Sequence, residues 1–394
     1  MSNNEQGFKW IPYIALLAIG LVCIAVLGLL GLADFSARGA SVFRDAPRGI
    51  AFDGASRPVF HTFNSAGYIL AARDGVRFID SSGEISKEYE FTLGAVHLYS
   101  NQDHFIVYEP GGSDARVFSS LGMIYHRHLG GQLLSASVNS TGSAAFVVKT
   151  GNVYEIRLFG PSGEPPPGLS HIFHTEQNVI PLSAAVSEDG RMAAVALLDV
   201  GGARVLGRLD FYYLNEQAHS YDNGLFARLQ FDDEVIGQLL FFSDGSLAVF
   251  SDQSVRRVSF PGGVATETAV VHLGNRISRM ARMGGGGFVA ALGGGIAGAD
   301  SERAGTVIAF DSTLSERFRF NPSRNTTYIW ANDNNLVVGA GRSIYGLSRD
   351  GRVLWNYNAT QDYSQVLMLE NRDTILFAAR NKTRVMRRAS GFGI

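Results

Sequence analysis

GYILAARDGVRFIDSSG, residues 67–83, decides the fold. An apolar run at 68–72 leads into Asp74-Gly75, and a second apolar run follows at 76–79. Two short β-branched and aromatic segments joined by Asp-Gly make a hairpin. Asp80 with Gly83 three residues later marks another tight turn, where glycine supplies a positive φ. The same pattern recurs. Eight such hairpins begin near Gly67, His104, Gly142, Gly190, Gly245, Gly286, Asn334 and Arg372. Their starts lie about 37 to 55 residues apart, the spacing of a four-stranded propeller blade.

Further short strands flank the hairpins. One precedes at 95–99, 133–138, 236–242 and 366–369; one follows at 84–91, 123–129 and 352–357. The turn into the following strand repeats as Ser119 with Gly122, Ser348 with Gly351, and Asp311 without its glycine. These patterns predict an all-β, eight-bladed propeller over residues 48–390, or a seven-bladed one if two hairpins share a blade. The eighth repeat holds only two strands after its first, then a tail at 391–394. An unfinished ring exposes unpaired edges. Residues 49–53 are apolar enough to finish the last blade, and the reading assigns them that role.

Ahead of the repeats, WIPYIALLAIGLVCIAVLGLLGLA runs from Trp10 to Ala33 without a charge. As a helix it reaches about 36 Å, enough to cross a ~30 Å hydrocarbon core. The expectation is a polar N-terminus at 1–9, one membrane-spanning helix and a linker at 34–47. A cleaved signal peptide competes, with Gly31-Leu32-Ala33 as a weak cleavage site, but its apolar region is normally shorter. Val22 before Cys23 argues against lipidation, and a single cysteine forms no intramolecular disulfide. Lys9 on one side against Arg38, Arg44 and Arg48 on the other puts the body in the cytoplasm by charge count.

Thirty-four basic and 36 acidic residues, with charged residues only 18% of the chain, argue against nucleic-acid binding and against disorder. The densest charge lies at the C-terminus, in Arg372, Arg380, Lys382, Arg384, Arg387 and Arg388. Held near a membrane, this strand meets anionic headgroups or wall polymers; otherwise it is a solvated strand whose charges discourage edge pairing. His97, His104, His126 and His128 fall in one blade, without an acidic partner at metal-ligand spacing. The glycines at 284–287 and 293–295 lack the helix or basic ending of a phosphate cradle. Glu188-Asp189 and Asp232-Asp233-Glu234 have no place on a propeller face from spacing alone. No catalytic set, metal site or cofactor pattern emerges.

The segment from Leu347 through Ser348, Asp350, Gly351 and Arg352 to Trp355 resembles a repeat of the pyrroloquinoline-quinone-type propellers, with WD-like character. In that family an Asp, a Gly and a Trp lock one blade to the next; here they are Asp350, Gly351 and Trp355, while Tyr89, Tyr125 and Phe318 stand near the Trp place elsewhere. Residues 48–390 also resemble bacterial single-pass membrane propellers of uncharacterised function and, more distantly, the propeller lipoproteins of outer-membrane protein assembly. The resemblance implies a noncatalytic scaffold of the cell envelope, extracytoplasmic and anchored in the plasma membrane. Its implied partners are the lipid bilayer and another envelope protein or a peptide, met through the loops at 215–224 and 293–305. A channel-centred enzyme or small-ligand sensor is the alternative.

Overall fold

The computed structural model describes residues 41–46, 49–52, 57–62, 67–80, 82–101, 104–166, 171–174, 178–284, 286–293, 305–369, 372–379 and 381–389. Trp10–Ala33, Arg380 and the tail at 391–394 lie outside them. Among the described residues no helix is long and apolar enough to cross a membrane.

Among the described residues, thirty-two strands form eight four-stranded antiparallel sheets. Seven are consecutive in sequence, over residues 59–90, 97–128, 132–174, 179–232, 236–272, 277–320 and 328–358. The eighth takes three strands from 365–388 and its outermost from Phe43–Ala46. The fold is an all-β, eight-bladed propeller, so the seven-bladed alternative falls away.

Packing explains the sequence pattern. The second strand of each blade lies between its neighbours in the sheet and between two adjacent blades, so both of its faces are covered. Gly287–Leu292 and Asn335–Ala340 are buried at every position. Outer strands face solvent: Ile85–Glu90 is almost wholly exposed, and Leu225–Asp232 alternates toward its end. The apolar side chains gather in clusters that each bridge neighbouring blades, such as Ile69, Phe78, Phe105 and Phe118 between blades one and two. Burial at about 25 cal/mol per Å² of apolar surface makes these seams the main source of stability.

The turn signature works as its spacing implies. Asp80 Oδ1 accepts from the Ser82 and Glu84 amides at 2.8 and 3.0 Å, with Gly83 at φ 88°. Asp311 accepts likewise from Thr313 and Ser315 at 2.8 and 3.0 Å, and there Leu314 takes the left-handed position at φ 65°. The Thr313 hydroxyl donates to the same oxygen at 2.6 Å, and these three bonds offset the strain of a non-glycine residue.

Closure uses an earlier segment than residues 49–53. Phe43–Ala46 pairs antiparallel with Thr383–Arg388, Phe43 opposite Arg388 and Ala46 opposite Val385. Two features select it. Phe43 packs edge-on against Trp355 and Tyr357, with ring centroids at 5.3 and 5.5 Å, and Asp45 receives both guanidinium donors of Arg384 at 2.7 and 2.6 Å. Residues 49–52 continue the seam more loosely: the Ile50 amide donates to the Thr383 hydroxyl, the Thr383 amide to the Ile50 carbonyl, and the Phe52 amide to the Asn381 carbonyl.

Two consequences are measurable. A chain beginning at residue 57 leaves Thr383–Arg388 as an open edge; calorimetry should show a lower Tm and light scattering a self-associating species, whereas an unchanged, monomeric melt contradicts the closure. Gly346→Ala would place a Cβ 2.1 Å from Trp355 Cε2. Overpacking of that kind costs about 3 kcal/mol, read as a lower urea midpoint at unchanged m-value.

Candidate binding site in the central channel

The first strand of every blade lines the axis. In an antiparallel four-stranded sheet the turns joining strands one to two and three to four share one end. The remaining turns and the crossings between blades share the other. A cavity of about 570 Å³ opens at the first end, bounded by His61, Tyr99, Gln238, Arg282, Trp330 and the turn at 331–335. Gly284 admits this turn: a Cβ there would lie 2.5 Å from Asp333 Cα.

One polar network crosses the channel. Glu188, in the first turn of blade four, pairs with Arg282 of blade six at 2.9 Å. Asn101 Nδ2 of blade two donates to Glu188 at 3.2 Å, and the Ser140 amide and hydroxyl of blade three donate to its other oxygen. Asn139 Nδ2 adds a bond to the Ser187 carbonyl at 2.8 Å. Four blades therefore meet at one carboxylate. Burial alone would raise the Glu188 pKa, but Arg282 and the Ser140 donors outweigh it and hold the carboxyl below its usual range. Tyr99 is pushed up by burial, with Arg282 pulling down and Glu188 pushing up. An ionised, fully hydrogen-bonded carboxylate is a brace, poorly suited to act as a general base. Among the described residues no three His, Cys, Asp or Glu side chains gather to hold a metal.

The residues singled out from sequence fall elsewhere. Trp355 is buried and its Nε1 donates to the Arg372 carbonyl of blade eight at 3.0 Å. Gly351, at φ 80°, sits where a Cβ would lie 2.5 Å from Phe318 Cγ of blade six. Tyr89 and Tyr125 cover Gly122 and Gly163 of their next blades in the same way. Asp350 is exposed, and Ser348 holds that turn by accepting from the Arg352 amide at 3.2 Å. Of the basic side chains, Arg384 pairs with Asp45, and Arg388 donates to the Leu354 carbonyl at 3.0 Å. Lys382, just before the strand Thr383–Arg388, and Arg387, near its end, are exposed, with Arg387 directly opposite Arg44. That strand is third in its blade, covered by Phe43–Ala46, and is no edge.

The two long loops do not share a face. Residues 215–224 join strands three and four of blade four, at the cavity end, in two short 3-10 turns. Tyr213 stacks on Phe226 beneath them at 4.0 Å. Gly293 and Gly305, which flank the other loop, lie between strands two and three of blade six, at the opposite end. That loop's residues 294–304 lie outside those described. The histidine pair does have an acidic partner: Asp114, on the neighbouring strand, lies 2.8 Å from His126 Nε2 and 3.4 Å from His128 Nδ1. Both rings are solvent-facing and turned to the carboxylate. Sequence reading missed Asp210 as well. It is fully buried in blade four and held by Arg228 at 2.8 and 3.0 Å and Arg208 at 3.3 Å. Asp233 and Glu234 sit in the crossing to blade five, where Glu234 pairs with Arg256, away from the channel.

Glu188 was hidden because its partner is 94 residues away. Aligning the first turns would have found it: Asn139-Ser140-Thr141-Gly142 and Ser187-Glu188-Asp189-Gly190 superpose, and in each the second residue faces the axis. The side chains of this pair stay 13–14% exposed, so removing one partner costs about 2 kcal/mol, less than in a fully buried pair. Glu188→Gln should lose about that at pH 7 in urea unfolding. Because the folded-state pKa is depressed, the stabilisation is complete above the unfolded value of about 4.3 and fades as pH falls through the folded value. The gap between wild type and Glu188→Gln should thus hold from pH 8 to 5 and close below about pH 4; a gap unchanged on acidification contradicts the assignment.

Solved structures share this architecture at low identity. BamB from Moraxella catarrhalis aligns with a TM-score of 0.52 at 12% identity, over 90% of this chain and 100% of that one. Sqt1 from Chaetomium thermophilum aligns with a TM-score of 0.50, also at 12% identity, over 90% of this chain and 100% of its own. At that identity the likeness is one of fold. No curated protein sequence matches the chain. Residues 60–387, all eight blades except the closing strand and the ends, match a family of unknown function, DUF5711, and the chain belongs to that family.

Proposed function

We propose that this chain is a noncatalytic interaction module, a rigid ring that binds another envelope protein or a peptide. The observation that supports it is the state of the channel. Glu188, a carboxylate that reaches the axis, is consumed by Arg282, Asn101 and Ser140, bracing four blades together. A ring tied across its own centre presents fixed surfaces, as a platform for partners requires. The fold shared with BamB is consistent with such a role.

The 24 uncharged residues from Trp10 to Ala33 are proposed to hold the ring at the plasma membrane, with the propeller extracytoplasmic. Only seven residues separate that segment from Ser41, a reach of about 28 Å when extended. The rim between blades seven and eight is therefore kept beside the bilayer, and the exposed Arg44 and Arg387 side chains belong to that rim. Each cation near an anionic surface contributes about 1 kcal/mol. Arg384 and Arg388 are already engaged within the fold and are poor candidates for lipid.

Protease added to cells stripped of their wall should degrade the propeller without lysis. Protection until lysis contradicts the extracytoplasmic placement. Arg44→Gln with Arg387→Gln should weaken binding of the purified ring to vesicles containing anionic lipid by about tenfold or more at low salt, while leaving Tm unchanged. Equal binding by the variant removes the lipid contact.

A further inference from the structure

Exposed apolar side chains are unevenly shared between the two ends of the ring. The three most exposed among the described residues are Leu121 at 80% and Val42 and Val264 at 63%. Leu121 lies in the turn joining strands three and four of blade two, and Val264 in the corresponding connection of blade five. Val42 precedes the closing strand, whose Phe43 stands opposite Arg388, the last residue of strand three of blade eight. All three positions therefore belong to the end that carries the channel mouth. Met123 follows Leu121, and Ile85 opens the outer strand of blade one, whose Lys87 donates to the Leu121 carbonyl. Tyr221 adds an exposed ring on blade four. Away from that end, no such side chain among the described residues exceeds 42%, the value at Leu134 and Val200.

We propose that the ring lies face-down on the bilayer, with these side chains in the interfacial layer and the channel mouth turned toward the lipid. The inference rests on the membrane-anchored reading and adds the face that meets the membrane. Three observations select a lipid surface. The chain enters the ring at this same end, since Ser41 leads into Phe43 and only seven residues separate it from the uncharged segment ending at Ala33. The tips on blades two, five and eight stand three, three and two blades apart round the axis, so they fit one flat surface. Aliphatic side chains with a tyrosine suit the headgroup boundary. Exposed carboxylates at Asp222, Asp333 and Asp350 share this end, so the contact is apolar and does not call for anionic lipid. Each tip alone binds weakly. The short tether supplies the effective concentration that lets them act together.

The test uses the full chain in a Cys23→Ser background, reconstituted into phosphatidylcholine vesicles with and without spin-labelled lipid. Leu121→Cys, Val264→Cys and Val200→Cys each carry one environment-sensitive fluorophore. All three side chains are exposed, so the core is untouched and Tm should match the parent. Labels at 121 and 264 should enter the interfacial layer, ~5–10 Å deep, and lose emission about twofold to the spin label. The label at 200 should lose none. Val264 is decisive, because it stands three blades from the tether and an upright ring holds it clear of the lipid. No quenching at 121 and 264, or equal quenching at all three positions, overturns the proposal. If the chain floats with the vesicles while those two labels stay bright, the face assignment falls and the anchor stands. If the chain does not float with the vesicles, the anchored reading falls with it.

Discussion

A ring of sheets is only as stable as its last joint, and here that joint is a four-residue strand borrowed from the other end of the chain. Phe43–Ala46 covers an edge that would otherwise expose unpaired amides along Thr383–Arg388. Every seam between blades buries apolar side chains on both sides, so an opened seam is not a local event. The clusters joining blades seven, eight and one run together through Phe43, Trp355, Phe377 and Phe60. The closing strand thus ties the two ends of the sequence into the same apolar mass that holds the last blades.

Across the axis a second device acts in the opposite sense. The seams hold neighbours together, while Glu188 also links blades that are not neighbours. Its pair with Arg282 spans from blade four to blade six, and Asn101 and Ser140 bring in blades two and three. Buried ion pairs repay their desolvation only when fully hydrogen-bonded, and Glu188 meets that condition at both oxygens. Such a brace resists shear between blades. A rigid frame with a fixed mouth suits recognition better than it suits a reaction that needs its groups to move.

Much of the architecture was legible in the sequence because the physics is local. Hairpins announce themselves through β-branched runs flanking Asp74-Gly75, and the turn carboxylates Asp80 and Asp311 serve as their spacing implied. Even the departure at Leu314 follows the rule, since the missing glycine is compensated by the same set of hydrogen bonds. The closing strand was placed a few residues late. FRDA looks like linker because two of its four residues are charged, and its pairing value lies in Asp45 meeting Arg384, 339 residues away. The channel was opaque for a similar reason. Glu188, Arg282, Asn101 and Ser140 are brought together only by ring geometry, which no window of sequence contains. The two long loops show the limit plainly: both read as partner contacts, yet strand order sends residues 215–224 and the flanks Gly293 and Gly305 to opposite ends.

Ring closure by residues 43–46 is the claim from which the rest follows, and a cross-link tests it most directly. Facing Cα atoms in an antiparallel pair stand about 4.5–5.5 Å apart, within reach of a disulfide. In a Cys23→Ser background, Arg44→Cys with Arg387→Cys should oxidise to an intramolecular bond that raises Tm and leaves the chain monomeric. Failure to form that bond, or its appearance only between separate molecules, would contradict the closure.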